Sequence, residues 1–285
     1  MPASGPRGAK GKRLAASRWL AYAFVLAVFA GPYWGMLCTA FSSATVKPGT
    51  LVLWPSDPTL AHFAYAFREA GVGRYLLNSA IVVTFGVVLQ VIVSALAAYA
   101  LARKRFTGAA VVSLLILSTM MLPEEVIAIP LYLVLGKLPV LHVSLLNSYV
   151  GMILPLAGWA FSIFVLTEFM REIPIELEEA ARIDGAGELQ IFFRVILPLS
   201  TPALGTVAIF GFIMIWDQYL LPMIVVNREN LYTLPVMLSH MRVDPNIPPN
   251  VFVVITVLAM LPSIAVYLAL QRYFQRGLTA GAVKG

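Results

Sequence analysis

The residues of this sequence that could do chemistry are mainly its acids, and half of them are crowded into one segment. Seven of the 14 Asp and Glu residues lie within 168–188, where only Arg171 and Arg182 oppose them: Glu168, Glu172, Glu176, Glu178, Glu179, Asp184 and Glu188. Such an excess of carboxylates suits the docking of a soluble partner that offers arginines. A solvated loop with a capped helix is the alternative interpretation.

Three further acids lie inside apolar stretches. Glu124 and Glu125 stand beside Pro123, and Asp217 follows Trp216. Because an ionisable group is costly in the middle of a bilayer, it usually faces a bundle interior or a water-filled path. These acids are therefore candidates for a translocation pathway. Alternatively, Glu124 and Glu125 lie near the membrane interface, or the acids are protonated and hydrogen-bonded by neighbouring groups. Asp217 could instead serve in helix–helix packing.

Other arrangements that could support catalysis are missing from the sequence. It has no Gly-x-x-x-x-Gly-Lys-Ser/Thr loop to hold ATP phosphates. His62, His142 and His240 lack the spacing of metal ligands, and no Ser or Cys nucleophile adjoins a visible base. The single Cys38 lies in an apolar run without a partner. We expect no catalytic residue, no metal site and no cofactor bound by this chain.

The composition predicts an all-α, polytopic membrane protein. With 60% hydrophobic residues, 12% charged residues and a mean hydropathy of +0.85, the chain has too little polar surface for a water-soluble globule. A membrane-spanning helix needs about 20 residues. Six apolar stretches are long enough, near residues 19–40, 76–101, 109–135, 148–167, 203–226 and 251–270. The third holds Pro123 and Pro130 and is predicted to be kinked or broken, a pattern that Pro222 and Pro262 repeat.

The distribution of Lys and Arg predicts the orientation. With a cytoplasmic N-terminus, 14 of these residues fall inside and 6 outside, as the positive-inside rule requires. Both termini are then cytoplasmic, and the external loops are 41–75, 136–147 and 227–250. We interpret Arg103-Lys104-Arg105 as a topology anchor. The formal charge of +6 follows from the basic inner loops, and since no basic stripe interleaves with aromatics, we expect no nucleic-acid partner.

The predicted domain organisation follows from these spans. We expect a basic leader at 1–18, the first transmembrane helix with its external loop at 19–72, a main transmembrane domain at 73–271 and a cytoplasmic tail at 272–285. The first stretch is interpreted as a retained helix, because its apolar run is longer than that of a cleaved signal peptide.

The acidic segment is predicted to form a helix-turn-helix at the membrane surface. Pro174 and the following glutamates suit a helix N-terminus, and Asp184-Gly185 suits its end. A second amphipathic helix then runs to Leu197-Pro198. Its expected apolar face consists of Leu189, Phe192, Phe193 and Ile196.

The spacing Glu179-Ala180-Ala181, Gly185 and Val195-x-Leu197-Pro198 resembles the EAA motif of binding-protein-dependent ABC importer permeases. The family usually has Ile where this chain has Val195. The resemblance to the carbohydrate, maltose-transporter-like type I members covers nearly the whole chain from about residue 19. It is carried also by Asn78-Ser79-Ala80, by Ile129-Pro130-Leu131-Tyr132, by Trp216-Asp217-Gln218-Tyr219 with Asp217 in place of the common Asn, and by the tail 271–285.

The resemblance implies a type I ABC importer permease fold with six transmembrane helices and a cytoplasmic coupling loop, residues 172–198. In that family the two short helices fit a cleft of an ATPase subunit and pass on its closure. The implied coupling residues are Glu179, Ala180, Ala181, Asp184, Gly185, Leu197 and Pro198. The candidates for the translocation pathway are Glu124, Glu125, Tyr132, Trp216, Asp217, Gln218 and Tyr219.

The resemblance also implies the partners and the cargo. It predicts a subunit of the cytoplasmic (inner) membrane that assembles with a second homologous permease and two ATP-binding subunits, which carry ATP and Mg. An external substrate-binding protein would approach the loop 227–250. The expected function is inward movement of a di- or oligosaccharide by alternating access, in a transport subunit that is not an enzyme.

Three alternatives to sugar import stay open. Permeases for glycerol 3-phosphate or glycerophosphodiesters share the architecture, but a phosphate favours a cationic site and no Lys or Arg lies inside a span. A membrane-embedded glycosyltransferase would use Glu124, Glu125 and Asp217 as catalytic carboxylates. An ion-coupled carrier would need an internal repeat with a broken helix in each half.

Overall fold

The computed structural model describes residues 7–45, 50 and 52–282, and within these ranges the side chains from residue 18 to residue 269. The side chains of the predicted leader before Arg18 and of the predicted tail 272–285 lie outside the described residues.

The described chain is helical and contains no strand, which confirms the all-α prediction; one isolated bridge pairs Ser42 with Pro58. Its helices are α1 (Arg7–Phe41), α2 (Ala61–Arg68), α3 (Val72–Arg103), α4 (Ala109–Thr119), α5 (Glu124–Gly136), α6 (Tyr149–Ile153), α7 (Ala160–Glu172), α8 (Glu176–Ile183), α9 (Glu188–Ile191), α10 (Leu197–Leu199), α11 (Thr201–Trp216), α12 (Leu220–Val225), α13 (Leu234–Met241) and α14 (Pro249–Ala282). Between them lie two 3₁₀ turns, Leu154–Gly158 and Glu229–Leu231, and one π-helical turn, Phe192–Ile196.

Four helical stretches are individually long and apolar enough to cross a membrane: Arg18–Phe41, Val72–Arg103, Tyr149–Glu172 and Pro249–Ala269. Two further pairs of helices meet the same criterion only together. The pair α4 and α5 is bent by 108°, and the pair Glu188–Leu199 and Thr201–Trp216 is bent by 75°. The described helices thus give four spans, or six when each bent pair counts as one.

Helix breaks interrupt three of the predicted apolar stretches. The third stretch breaks before Pro123, whose backbone is extended, whereas Pro130 lies inside α5. The fourth contains the 3₁₀ turn with Pro155. The fifth, where Pro222 predicted a kink or a break, is broken: α11 ends at Trp216 and α12 begins at Leu220. Pro222 has no N–H to donate to the carbonyl of Gln218, so a continuous α-helix is disfavoured there.

The chain divides into two compact units. The first comprises residues 1–71 and 241–258, and the second comprises 72–240 and 259–285. In the first unit, Asn250 donates hydrogen bonds to the carbonyls of Ser42 and Ala44, both at 2.9 Å, which ties the chain after α1 to the start of α14. In the second unit, α3 packs along α7 and α11.

The core of the second unit lies where α3, α7 and α11 meet the segment between α7 and α11. Its buried members are Ala95, Ala98, Tyr99, Leu166, Met170, Ile173, Ile191, Phe192, Ile196, Ala203 and Val207. Four of these buried side chains belong to the predicted coupling loop, namely Ile173, Ile191, Phe192 and Ile196. The loop therefore forms part of this core. Burial of such side chains stabilises the fold by about 1.5–3 kcal/mol each.

Candidate functional site

The coupling loop contains the two short helices and the turn that the sequence predicts. In α8 three glutamates stand in the first turn and Arg182 in the last, which complements the helix dipole at both ends. The helix ends at Ile183 with Asp184 as its C-cap, and Gly185 follows with φ +83°, a left-handed conformation that favours glycine. Gly185 thereby supplies the turn into α9.

The proposed coupling residues lie mostly on the surface of this loop. Glu179, Ala180, Asp184, Gly185 and Pro198 are exposed, whereas Ala181 and Leu197 are half-buried against the core. Large apolar side chains are exposed beside them: Ile183 by 86%, Leu189 by 70% and Phe193 by 56%. We call Glu179, Ala180, Ile183, Leu189 and Phe193 the coupling surface.

The prediction that four apolar side chains share one face of the second loop helix was wrong. Leu189 and Phe193 are exposed, but Phe192 and Ile196 are buried in the core. The π-helical turn Phe192–Ile196 follows α9 directly. Because a π turn holds more residues than an α turn, the α-helical spacing no longer places the four side chains on one face.

A buried ion pair fixes the start of α8 to the end of α3. The Arg103 Nε lies 2.9 Å from the Glu178 Oε1, with side-chain exposures of 6% and 0%. Arg103 also donates a hydrogen bond to the carbonyl of Ile173. The other Glu178 oxygen lies 3.4 Å from the guanidinium of Arg182. The glutamate before the EAA motif is therefore ion-paired inside the chain, whereas Glu179 is exposed.

A second polar cluster fixes the start of α9 to the same end of α3. Glu188 accepts hydrogen bonds from Lys104 and, at 2.9 Å, from the Tyr99 hydroxyl. Lys104 lies over the Tyr99 ring, with 4.9 Å between its Nζ and the ring centroid, and that ring packs on Phe192 with centroids 5.0 Å apart. Lys104 and Arg103 thus hold the loop, a role that the topology interpretation missed. The sequence places the three cations of residues 103–105 and the seven acids of residues 168–188 on the same predicted side of the membrane. This was the signal that could have indicated an ionic contact between them.

The second candidate site is a cavity of about 490 Å³ in the second unit. Its walls are formed where the three helix breaks converge. The lining residues are Thr119, Met120, Leu122, Glu124, Ile127, Ala128, Leu131, Pro155, Leu156, Gly158, Trp159, Ala160, Phe161, Met214, Gln218, Leu220, Leu221 and Ile224.

Only two of the seven predicted pathway residues line this cavity. The Gln218 Nε2 donates to the Glu124 Oε2 at 3.4 Å, which joins the break before α5 to the break after α11. Trp159 and Phe161 were not among the predicted pathway residues, and their rings pack with centroids 5.0 Å apart in the cavity wall. The proline and glycines around residue 155 were the signal for that break.

The other five candidates lie elsewhere. Trp216 is buried and donates to the carbonyl of Ala259 at 2.8 Å. The Tyr219 hydroxyl lies 3.1 Å from the Ser239 Oγ. Glu125, Tyr132 and Asp217 are exposed side chains outside the cavity lining. Of the four pathway candidates at 216–219, only Gln218 therefore lines the cavity.

Comparison with known proteins places this geometry in a family. Residues 90–280 match the model of the binding-protein-dependent transport system inner membrane component. The chain is 33% identical over 270 residues to the arabinooligosaccharides transport system permease protein AraQ of Halalkalibacterium halodurans, covering 93% of this chain and 95% of AraQ. It is 34% identical over 256 residues to the diacetylchitobiose uptake system permease protein DasC of Streptomyces coelicolor, covering 89% and 91%.

Solved structures agree with this placement. A bacterial ABC transporter involved in the import of the acidic polysaccharide alginate contains a chain that is 28% identical, with a TM-score of 0.80 over 96% of this chain and 100% of that chain. The MetNI methionine ABC transporter, 18% identical with a TM-score of 0.54 over 76% and 98%, shares the fold. The chain therefore belongs to the binding-protein-dependent transport system inner membrane components, as an ABC transporter permease subunit with the type I importer fold, and is not an enzyme.

Proposed function

We propose that this chain is the permease subunit of an ATP-driven importer that moves a neutral di- or oligosaccharide inward across the cytoplasmic membrane by alternating access. Its four helical spans and two bent pairs then make six crossings, with both termini in the cytoplasm. The observation that carries the proposal is the coupling loop. Its outward face presents Glu179, Ala180 and apolar side chains, while its inward face is fixed to the end of α3 by the pair of Arg103 and Glu178.

The chemistry of the cavity supports a neutral sugar. Trp159 and Phe161 supply aromatic faces for sugar rings, and Gln218 and Glu124 supply groups that hydrogen-bond hydroxyls. No Lys or Arg occurs among the residues that line it, and its one carboxylate would repel an acidic polysaccharide or a glycerol phosphate. The names of AraQ and DasC specify an arabinooligosaccharide and diacetylchitobiose as the cargo of those relatives.

The proposed partners are those expected of a binding-protein-dependent ABC transporter permease. Of two ATPase subunits that bind ATP and Mg, one would dock on the coupling surface of this chain and the other on its partner permease. A second homologous permease would complete the pathway, and an external substrate-binding protein would deliver the sugar. The exposed carboxylate of Glu179 is suited to a basic residue of the ATPase.

Reversing the charge at Glu179 tests the docking of the ATPase. In the complex reconstituted in lipid, Glu179→Lys is expected to lower sugar-stimulated ATP hydrolysis by about tenfold or more, since a desolvated like-charge contact costs several kcal/mol. The measurement is phosphate release with and without binding protein, beside a count of inserted permease. Glu69→Lys makes the same charge change at an exposed residue on the predicted external side and should leave the rate unchanged. Full stimulation in Glu179→Lys would remove the docking assignment.

The aromatic wall of the cavity gives a separate test of the cargo. Trp159→Ala should raise the KM for sugar uptake about tenfold, because a lost ring contact weakens binding by about 1.4 kcal/mol. Uptake of labelled sugar into proteoliposomes measures the KM. Trp19→Ala, at a side chain that is 72% exposed in α1, is the matched control. An unchanged KM in Trp159→Ala would argue against sugar binding in this cavity.

A further inference from the structure

The outer end of α3 is bonded to the segment 229–234, which precedes and begins α13. The Tyr75 hydroxyl donates to Glu229 at 3.0 Å. The Asn78 side-chain amide donates to the carbonyls of Asn230 and Tyr232 at 3.0 and 2.9 Å. Asn78 is 2% exposed. The two Asn78 bonds hold the segment through its backbone, so its position follows that of α3.

Two further contacts complete this outer attachment. The Ser79 Oγ accepts a hydrogen bond from the backbone N–H of Leu234 at 2.8 Å, and this N–H lies in the first turn of α13. The Tyr149 hydroxyl donates to the Asn78 Oδ1 at 2.7 Å, which fixes the orientation of the Asn78 amide. Buried hydrogen bonds of this kind are expensive to leave unmade.

The inner end of the same helix carries the coupling loop. Tyr99, Arg103 and Lys104 bind Glu178 and Glu188, as described above. The bonds at both ends are made by side chains of α3, or of Lys104 directly after it, to segments distant in sequence. A displacement of the segment 229–234 therefore reaches the coupling loop through one helix.

That helix is suited to transmit a displacement. α3 has 32 residues and no internal proline, so at about 1.5 Å per residue it is about 48 Å long. This exceeds the hydrocarbon thickness of about 30 Å. The pairs α4 and α5, α6 and α7, and α11 and α12 are all interrupted, whereas α3 runs unbroken between its two attachments.

From this arrangement we infer that α3 is a strut between the segment 229–234 and the coupling loop, with Asn78 and Arg103 as the positioning residues at its two ends. Docking of the external binding protein on the segment shifts α3 and thereby the coupling loop. The inference rests on the proposed function, because it takes the binding protein to be the external partner and the ATPase to be the inner one.

The test uses the complete complex in lipid nanodiscs, with the binding protein and its sugar. The wild-type complex comes first: if its ATPase is not stimulated by the loaded binding protein, the proposed function fails and the strut is not at issue. With stimulation present, Asn78→Ala should lower it about fivefold or more, the scale of an allosteric coupling. The basal ATPase rate and the affinity for the binding protein should stay within about twofold.

Hydrogen exchange in the coupling loop distinguishes transmission from a local defect. In wild type, the loaded binding protein should change amide exchange within residues 174–190, and Asn78→Ala should abolish that change. Leu77→Ala alters a 60% exposed side chain on the same turn and is the matched control, expected to behave as wild type. If Asn78→Ala does not insert, Ser79→Ala removes only the acceptor for Leu234 and should show a smaller loss of the same kind. Retained stimulation, or a loss explained by weaker binding of the binding protein, would overturn the inference.

Discussion

Replacing Arg103 by methionine is expected to lower the free energy of unfolding by about 3–5 kcal/mol, because it leaves the buried carboxylate of Glu178 without its cation. Arg182 lies 3.4 Å from the other oxygen of Glu178, but its side chain is 44% exposed and cannot replace a buried partner in full. Thermal unfolding of the purified permease in detergent measures the change. The loss should be accompanied by protease cleavage within the coupling loop.

Two further variants distinguish the stability contributed by the ion pair of Arg103 and Glu178 from that contributed by the other cations of the basic cluster 103–105. Arg105→Met removes a neighbouring exposed cation and should change stability by no more than about 0.5 kcal/mol. Arg103→Met combined with Glu178→Met replaces the pair by apolar side chains and should recover most of the lost stability. Equal losses in Arg103→Met and Arg105→Met would show that the cluster acts through membrane orientation and not through Glu178.

The local structure of the coupling loop could be predicted from the sequence, since its signals are local. Glutamates in a first turn and a glycine after Asp184 specify where α8 begins and ends. The partners of Glu178 and Glu188 could not be predicted, because Arg103 and Lys104 are about 75–85 positions away in the chain. Charge counting could show that cations and acids share a side of the membrane, but only packing determines which of them pair.

The cavity was predicted less well for a related reason. A hydropathy pattern identifies a span by its length, and a proline inside it indicates a break. The pattern does not show whether Pro123 or Pro130 makes the break, or that α11 ends before Gln218. Side chains next to a break point in directions that no helical period describes. Trp159, which follows the break at residues 154–158, was missed for that reason.

Gly151→Ala is expected to lower the stability of the permease by about 3 kcal/mol, because extra volume at a packed backbone contact forces the chain apart. Gly151 is buried in α6, and a Cβ there would lie 2.2 Å from the carbonyl oxygen of Leu145 and 3.0 Å from the Val225 Cγ1. Leu145 cannot retreat easily, since its N–H donates to the carbonyl of Leu135 at 2.8 Å. The substitution should therefore separate the ends of α5, α6 and α12.

Since α5 and α12 also line the cavity, the variant should lose sugar uptake together with stability. Thermal unfolding in detergent and uptake into proteoliposomes measure the two effects. Gly205→Ala is the matched control, because Gly205 lies within α11 and a Cβ there meets nothing within 4 Å beyond its chain neighbours and the nearby backbone of its own helix. Alanine favours a helix by about 1 kcal/mol over glycine, so the control should be as stable as wild type or more so. If Gly151→Ala were equally harmless, α6 would not be in close contact with Leu145.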